Sequence, residues 1–391
     1  MQPAEWQVRS GEDRQALLLI TGAFRVGGGV AALNRLVLKT LSYCDGGRTR
    51  LTVLALNEPE STPLDPFYAH PQRTAWRPFG ERRGPFILSA WREALRRRWD
   101  LIFSDQVGVA SVLYPLARLG LCRYTVSCNG LELLPALLSF RRRLALFAAE
   151  RRLAISPTTR DSLLSRFPGL EVRVYELGLD PKLPLELPSW KEPAPMVVQA
   201  VSGREWRLGD RVILCVGRMW RGQRHKGQDA LIRAVPLIRE RVSDAQLVLA
   251  GGGDWVEDLR GLARTEGVEE CVFFPGYVSD EMLQQLYSRC FLFAMPSKGE
   301  GFGLVYLEAM RWSKPCIGGA LDAARDVIVD GETGVLVADP HDARLLADAL
   351  CRLLKDPETA RAMGRAGRKR LGQRYLFSHF QDRFLRAIGW A

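Results

Sequence analysis

The segment Phe291–Trp312, FLFAMPSKGEGFGLVYLEAMRW, reads as a buried strand, a glycine-broken loop and then a helix. Glu300 lies in the loop, and Glu308 follows eight positions later on the helix. Gly301 and Gly303 carry no side chain, so the backbone there can come close to a ligand. The N–H groups of the helix start, at Gly301, Phe302, Gly303 and Leu304, favour an anion. Glu308 sits about one turn further on, where a carboxylate can accept both hydroxyls of a ribose. One short segment thus offers places for a sugar, a phosphate and a ribose. The same residues also suit a plain strand–loop–helix joint whose glycines only ease packing.

Outward from this segment, apolar runs of strand length alternate with helical patterns. In the first half, strands are expected at 16–23, 51–56, 100–105, 124–128 and 152–157, with helices at 31–41 and 86–99. The second half repeats the rhythm. Strands are expected at 211–218, 246–253, 271–276, 290–296 and 314–319, and helices at 228–241, 341–355, 357–372 and 375–390. Strands alternating with helices specify parallel α/β sheets. The proline-dense stretch 181–195, PKLPLELPSWKEPAP, reads as a linker. The expected organisation is therefore two doubly wound domains, at 1–185 and 196–372, facing a central cleft, followed by a C-terminal helix at 373–391. Open sheets of this kind bind ligands beyond the carboxyl ends of their strands.

The chain has 391 residues, enough for two ordinary domains. No apolar stretch reaches the ~18 uncharged residues of a membrane span. The N-terminus, MQPAEWQVRSGEDRQ, lacks a basic start followed by an apolar run, so no signal peptide is expected. The eight cysteines are scattered and histidine is scarce, which argues against zinc or a disulfide framework and fits reduced thiols in a cytoplasmic enzyme. The net charge of +11 is uneven: residues 1–190 hold 26 Lys and Arg against 18 Asp and Glu. Nucleic acid, an anionic membrane, an acidic substrate or a merely solvated basic surface would each account for it. No recognised nucleic-acid module accompanies the charge, which leaves nucleic acid the weakest of these partners. Phe140, Leu144, Phe147 and Ala148 interleave with Arg141–Arg143, Arg151 and Arg152, the pattern of an interfacial helix on the inner face of a membrane or of a core helix with one basic edge.

Further clusters fall at expected strand ends. Gly27, Gly28 and Gly29 follow Arg25 and the first strand, where they allow either close approach of a phosphate or substrate or a plain turn. Arg218 ends a strand and Lys226 precedes a helix, so two cations can hold a diphosphate and neutralise charge as it leaves. There is no D-x-D pair to carry a divalent metal, so cationic side chains are the expected counter-charge and no metal site is expected. Asp326, in the glycine loop 318–334, can touch a base or ribose or can serve as an ordinary helix cap.

Together these pieces resemble family 4 of the retaining glycosyltransferases, with the GT-B fold. The resemblance rests on Gly217-Arg218…Lys226-Gly227, the AGGG turn 250–253, FFPGYVSDEML at 273–283, Glu300…Glu308 and VDGETG at 329–334. The first half matches more loosely, through the glycine loop, SCNGLE at 127–132 and AISPTTR at 154–160. The resemblance implies that Arg218 and Lys226 bind the donor diphosphate, that Glu308 holds the ribose and that Glu300 contacts the transferred sugar. It implies backbone contacts to sugar or phosphate near Gly301–Gly303, transfer without a metal and with retention of anomeric configuration, and a last helix that crosses back to the N-terminal domain. The nucleotide-sugar, UDP- or GDP-linked, would be a substrate, and no cofactor is expected. Where many relatives carry a histidine before a glycine, this chain reads Asn129-Gly130. An amide can hydrogen-bond a sugar hydroxyl but cannot take its proton, so Asn129 is assigned a sugar contact only. The expected activity is transfer of a sugar to a glycan or lipid-linked acceptor in cell-surface polysaccharide, lipopolysaccharide or glycolipid synthesis. A non-catalytic nucleotide-sugar-binding subunit is the alternative, favoured by Asn129 and opposed by the intact Arg218, Lys226, Glu300 and Glu308. A sugar-nucleotide epimerase on the same plan fits the paired glutamates poorly.

Overall fold

The computed structural model describes residues 13–25, 27–130, 139–187 and 196–390. Its residues group into two compact units. The first holds the chain through Cys128, the stretch ending at Leu153 and the segment from Phe384 onward. The second holds Asn129 and its neighbours together with Ala154–Arg383. The division differs from the boundaries expected at 185 and 373: residues 154–185 belong with the second unit, and the final helix, Phe377–Ile388, changes unit at Phe384. Most of the expected linker, residues 188–195, lies outside the described residues.

The first unit is built on strands β1 (Gln15–Ile20), β2 (Arg50–Ala55), β3 (Thr74–Pro78), β4 (Leu101–Ser104), β5 (Thr125–Cys128) and β6 (Arg151–Ala154). They run in the order β3-β2-β1-β4-β5-β6. Pairing of β1 with β2 and β4, of β2 with β3 and of β4 with β5 is parallel. Leu17, Leu18, Leu19 and Ile20 are fully buried, as a central strand covered on both faces requires. β3 was not foreseen. It alternates buried and exposed residues as an edge strand does, and its short TAWRP run has no apolar stretch to announce it.

In the second unit the short strand β7 (Arg173–Val174) leads to Tyr175, whose N–H donates to Ala154 O at 3.0 Å. A small antiparallel pair, β8 (Val197–Gln199) and β9 (Glu205–Arg207), precedes the main sheet. That sheet comprises β10 (Val212–Val216), β11 (Gln246–Ala250), β12 (Val272–Gly276), β13 (Leu292–Met295), β14 (Cys316–Gly319) and β15 (Gly334–Val337). Its order is β12-β11-β10-β13-β14-β15. These two sets of six strands therefore share one winding, three strands to one side of the switch point and three to the other. The direction of winding reverses at β1/β4 and at β10/β13, where such folds place ligands. β8, β9 and β15 also went unforeseen, because each is too short to show a period.

Strand lengths were overestimated at their carboxyl ends. The stretches 21–23, 217–218 and 251–253 are loop, and these loops carry the candidate site. Every cysteine is free, and six of the eight are buried. Among the described residues no helix is long and apolar enough to cross a membrane.

The helix Pro357–Arg374 closes the second unit through glycines. A Cβ on Gly364 would lie 1.8 Å from Ser313 O, and one on Gly367 would lie 3.1 Å from Met310 Cγ. Gly364→Ala therefore drives a methyl into a backbone carbonyl. It is expected to lower the unfolding free energy by about 1–3 kcal/mol, read from the urea midpoint at unchanged slope.

Candidate active site

Three loops at the carboxyl ends of β10, β13 and β14 make the core of the site. After β10 the chain passes through Arg218 into a 3-10 turn, Arg221–Lys226, that ends on Gly227. Gly227 has φ +76, and a Cβ there would meet Pro296 O at 2.3 Å. Only glycine lets the helix Gln228–Arg239 start so close to the loop after β13, which explains why glycine follows Lys226. The His225 carbonyl accepts the Lys298 N–H at 2.8 Å and ties the same two loops together.

This docking brings Lys226 onto Glu300, seventy-four positions away. Lys226 Nζ donates to Glu300 Oε1 in an ion pair whose side chains are each 16% exposed. Burial opposes ionisation of Glu300, but the Lys226 ammonium, its hydrogen bond and the nearby His225 and Arg218 prevail and hold the carboxyl below its ordinary range. Glu300 is thus a charged acceptor at neutral pH and not a proton donor. Arg218 is half-buried, with its guanidinium carbon 5.8 Å from the Trp220 ring centre. Burial followed by the Lys226 charge pushes His225 down.

Asp322, which the sequence reading did not single out, fixes the Glu300 loop. Its Oδ2 accepts the Ser297 hydroxyl and the Glu300 N–H, the latter at 2.7 Å, and its Oδ1 accepts the Ala324 N–H at 2.9 Å. Asp322 is 4% exposed, and burial pushes its carboxyl from 3.8 up to about 6 against the pull of those hydrogen bonds.

The helix carrying Glu308 begins at Leu304, with Gly303 at its N-cap and no side chain capping its first N–H groups. Gly303 has φ +91, and a Cβ there would meet the Tyr306 ring at 2.4 Å. Phe302 is buried, with its ring 5.9 Å from that of Tyr375. The Tyr287 hydroxyl donates to Glu308 Oε2 at 2.7 Å and orients it. Tyr287 is another residue missed from sequence, since it sits on a helix with no motif of its own.

Two expectations take a different form. Gly301 was expected to admit a ligand, yet a Cβ on it would fall 2.0 Å from Asn129 O, and one on Gly130 would lie 3.1 Å from Gly301 Cα. The close approach seen is backbone to backbone, and it places Asn129 beside the Glu300 loop. Thr159 Oγ1 adds a hydrogen bond to Gly301 O at 3.3 Å. Asp326, read as a base or ribose contact or an ordinary helix cap, accepts the Thr158 N–H at 3.0 Å with its Oδ2. Thr158 lies in the first turn of the helix Pro157–Arg166, so Asp326 acts as a cap donated from another element.

In the first unit, Arg25 and Gly28 lie on the loop after β1, and Gly29 opens the helix that follows. Gly28 caps the helix Gly29–Tyr43 with φ +103, a conformation that suits glycine, whereas Gly27 and Gly29 have open space where a Cβ would go. Glu58, fully buried and unforeseen, accepts the N–H groups of Ala23, Phe24 and Arg25 and holds this loop. The Arg25 side chain is exposed.

Comparison with known proteins identifies the family. Residues 202–370 match the family model for glycosyl transferases group 1. The chain is 34% identical over 273 residues to a GDP-mannose-dependent alpha-(1-6)-phosphatidylinositol monomannoside mannosyltransferase of Mycobacterium tuberculosis (strain ATCC 25618 / H37Rv), covering 66% of this chain and 68% of that protein. The corresponding protein of Mycolicibacterium smegmatis is 40% identical over 169 residues, and there the match spans 41% of this chain and 43% of the relative. The crystal structure of Anabaena Alr3699/HepE in complex with UDP superposes with a TM-score of 0.74 at 19% identity, over 96% of this chain and all of that one. Sucrose-phosphate synthase from Thermosynechococcus elongatus gives 0.72 at 23% identity, over 95% and 98%. The fold is GT-B. The chain belongs to the glycosyl transferases group 1, the family 4 glycosyltransferases, and is a glycosyltransferase.

The raised carboxyl of Asp322 has a consequence for stability. Its folded-state pKa lies above its free value, so the folded protein holds the proton more tightly, and this group's contribution is lost as pH rises from about 4 through about 6. Unfolding free energies of wild type and Asp322→Asn should therefore shift relative to each other across that interval, in favour of the variant, by roughly 2–3 kcal/mol. Urea titrations at both ends of the interval measure it, and parallel pH profiles would contradict it.

Proposed function

We propose that the chain is a retaining, metal-independent glycosyltransferase that moves a sugar, mannose in the first instance, from a GDP- or UDP-linked donor to a lipid-linked or glycan acceptor. The observation that carries this reading is the Lys226–Glu300 ion pair set beside Arg218 and the uncapped helix start at Leu304. In this reading the two cations and the N–H groups of the helix start take up the charge that grows on the leaving diphosphate. Glu300 keeps the ammonium in place and, ionised, accepts a hydroxyl of the transferred sugar. Glu308, oriented by Tyr287, takes the ribose hydroxyls. The leaving phosphate oxygen receives the acceptor's proton on the face it departs from. Support for the donor and the lipid acceptor comes from the mycobacterial relative's description as GDP-mannose-dependent and acting on a phosphatidylinositol monomannoside.

The first unit supplies support for an anionic membrane as the place where the acceptor is met. Leu88, Trp91 and Leu95 are exposed on one face of the helix Arg83–Arg96, among the exposed Arg83, Arg92 and Arg96. Phe140 and Phe147 are exposed on the helix Phe140–Ala148, which carries Arg141–Arg143. Aliphatic and aromatic anchors among arginines suit an interfacial surface. Recovery in liposome flotation is expected to rise with the anionic lipid fraction, and equal recovery on neutral and anionic vesicles would remove the electrostatic membrane contact.

The direct test is sugar release from GDP-mannose and from UDP-sugars with a phosphatidylinositol mannoside acceptor. Turnover with one donor is expected, and tight donor binding with no turnover on any would favour the non-catalytic alternative. Lys226→Ala is expected to lower kcat roughly 10²–10³-fold, with a smaller change in donor KM. Since it strands Glu300, the double change Lys226→Met with Glu300→Gln controls for folding. Unchanged turnover in Lys226→Ala would take diphosphate stabilisation out of the mechanism.

A further inference from the structure

A second basic site occupies the opposite edge of the second unit's sheet. The residues just before β10, β13 and β14, namely Asp210-Arg211, Arg289–Phe291 and Ser313–Pro315, border a cavity of about 420 Å³ with the first turn of the helix Pro357–Arg374. The strands are parallel, so this cavity lies at their amino ends and the Glu300 loop at their carboxyl ends. Four cations line it, Arg211, Arg289, Lys314 and Arg361, against one carboxylate, Asp210. Arg211 is committed to Asp244 at 2.8 Å. Lys314 and Arg361 have no salt-bridge partner among the described residues. Asp356 caps this same helix by accepting the Thr359 N–H at 3.0 Å, and Glu358 in its first turn is exposed to solvent.

Lys314 is half-buried, and burial pushes its ammonium below its ordinary range. A cation drawn partly out of water without a counter-charge is costly unless an anion meets it. Guanidinium and ammonium groups converging on a concave surface are the chemistry that recognises phosphate oxygens. The volume exceeds what a bare phosphate fills and leaves room for a small organic group.

We propose that this cavity binds a phosphate monoester, with Lys314 and Arg361 as its anion contacts, separately from the donor site. The phosphate can belong to a soluble metabolite or to a lipid headgroup, and the test distinguishes them. The protein is acetylated briefly with a lysine-directed reagent in the presence of inorganic phosphate, glycerol phosphate or phosphatidic acid vesicles, at matched ionic strength, and Lys314 modification is read by peptide mass mapping. At ten times the Kd, occupancy predicts about tenfold slower modification of Lys314 than in chloride. Protection by glycerol phosphate identifies a soluble ligand, and protection by vesicles alone identifies a headgroup. Arg361→Gln, which leaves Lys314 available for labelling, is expected to abolish the protection, while Lys226→Ala is expected to leave it intact. Lys314 labelling equal in chloride and in every phosphate arm, or protection unchanged in Arg361→Gln and lost in Lys226→Ala, would overturn the proposal. Donor turnover is not a readout here, so a failure of this site is distinguishable from a failure of the transferase reading.

Discussion

The carboxylate of Asp322 accepts hydrogen bonds from the Ser297 hydroxyl and the Glu300 N–H on one oxygen and from the Ala324 N–H on the other. Three donors from two loops converge on one buried acid, and the Glu300 loop has its shape only because of them. From that shape follow the place of Glu300, the pairing with Lys226 and the start of the Glu308 helix at Leu304. A buried carboxylate is costly by itself. Here its cost is offset by otherwise unsatisfied backbone N–H groups, each of which would also be costly to bury alone.

The same device recurs in the first unit. Asp105, just beyond β4 and fully buried, accepts the Thr21 N–H at 2.7 Å, the Thr21 hydroxyl at 2.6 Å and Asn34 Nδ2 at 2.8 Å. Burial raises its carboxyl to about 6. Glu58, beyond β2, gathers the three N–H groups of Ala23–Arg25. Parallel sheets leave several loop backbones with outward N–H donors at the carboxyl ends of their strands. An acid on a neighbouring loop satisfies them and fixes the loop against its sheet. Loops held in this way are preorganised, and a ligand that meets them has less ordering entropy to overcome.

Charge is distributed to match. At the carboxyl edge of the second sheet, Lys226 is balanced by Glu300, so a cation can wait in a half-buried place without an anionic ligand. At the amino edge, Lys314 has no such partner among the described residues. The difference separates a site where the protein itself supplies the resting counter-charge from one that leaves it to a ligand.

Much of this was legible in the chain of letters. Apolar runs alternating with helical periods specify parallel sheets, because period and length are local properties. Gly217-Arg218, Lys226-Gly227 and Glu300…Glu308 marked the candidate site, because glycine, cation and carboxylate at strand ends have few other uses together. What sequence spacing could not supply was partnership. It gave no sign that Lys226 would lie on Glu300, that Gly301 would press against Asn129 O, or that Asp326 would cap a helix 168 positions away. Asp322, Glu58 and Tyr287 act by accepting or donating across long separations, and no local pattern distinguishes them from ordinary polar residues. Short strands such as β3 and β15 were invisible for the same reason: their place is set by pairing with a neighbour strand. Composition and period determined which elements form. Only the folded chain decided which carboxylate meets which donor, since that depends on where loops from distant strands converge.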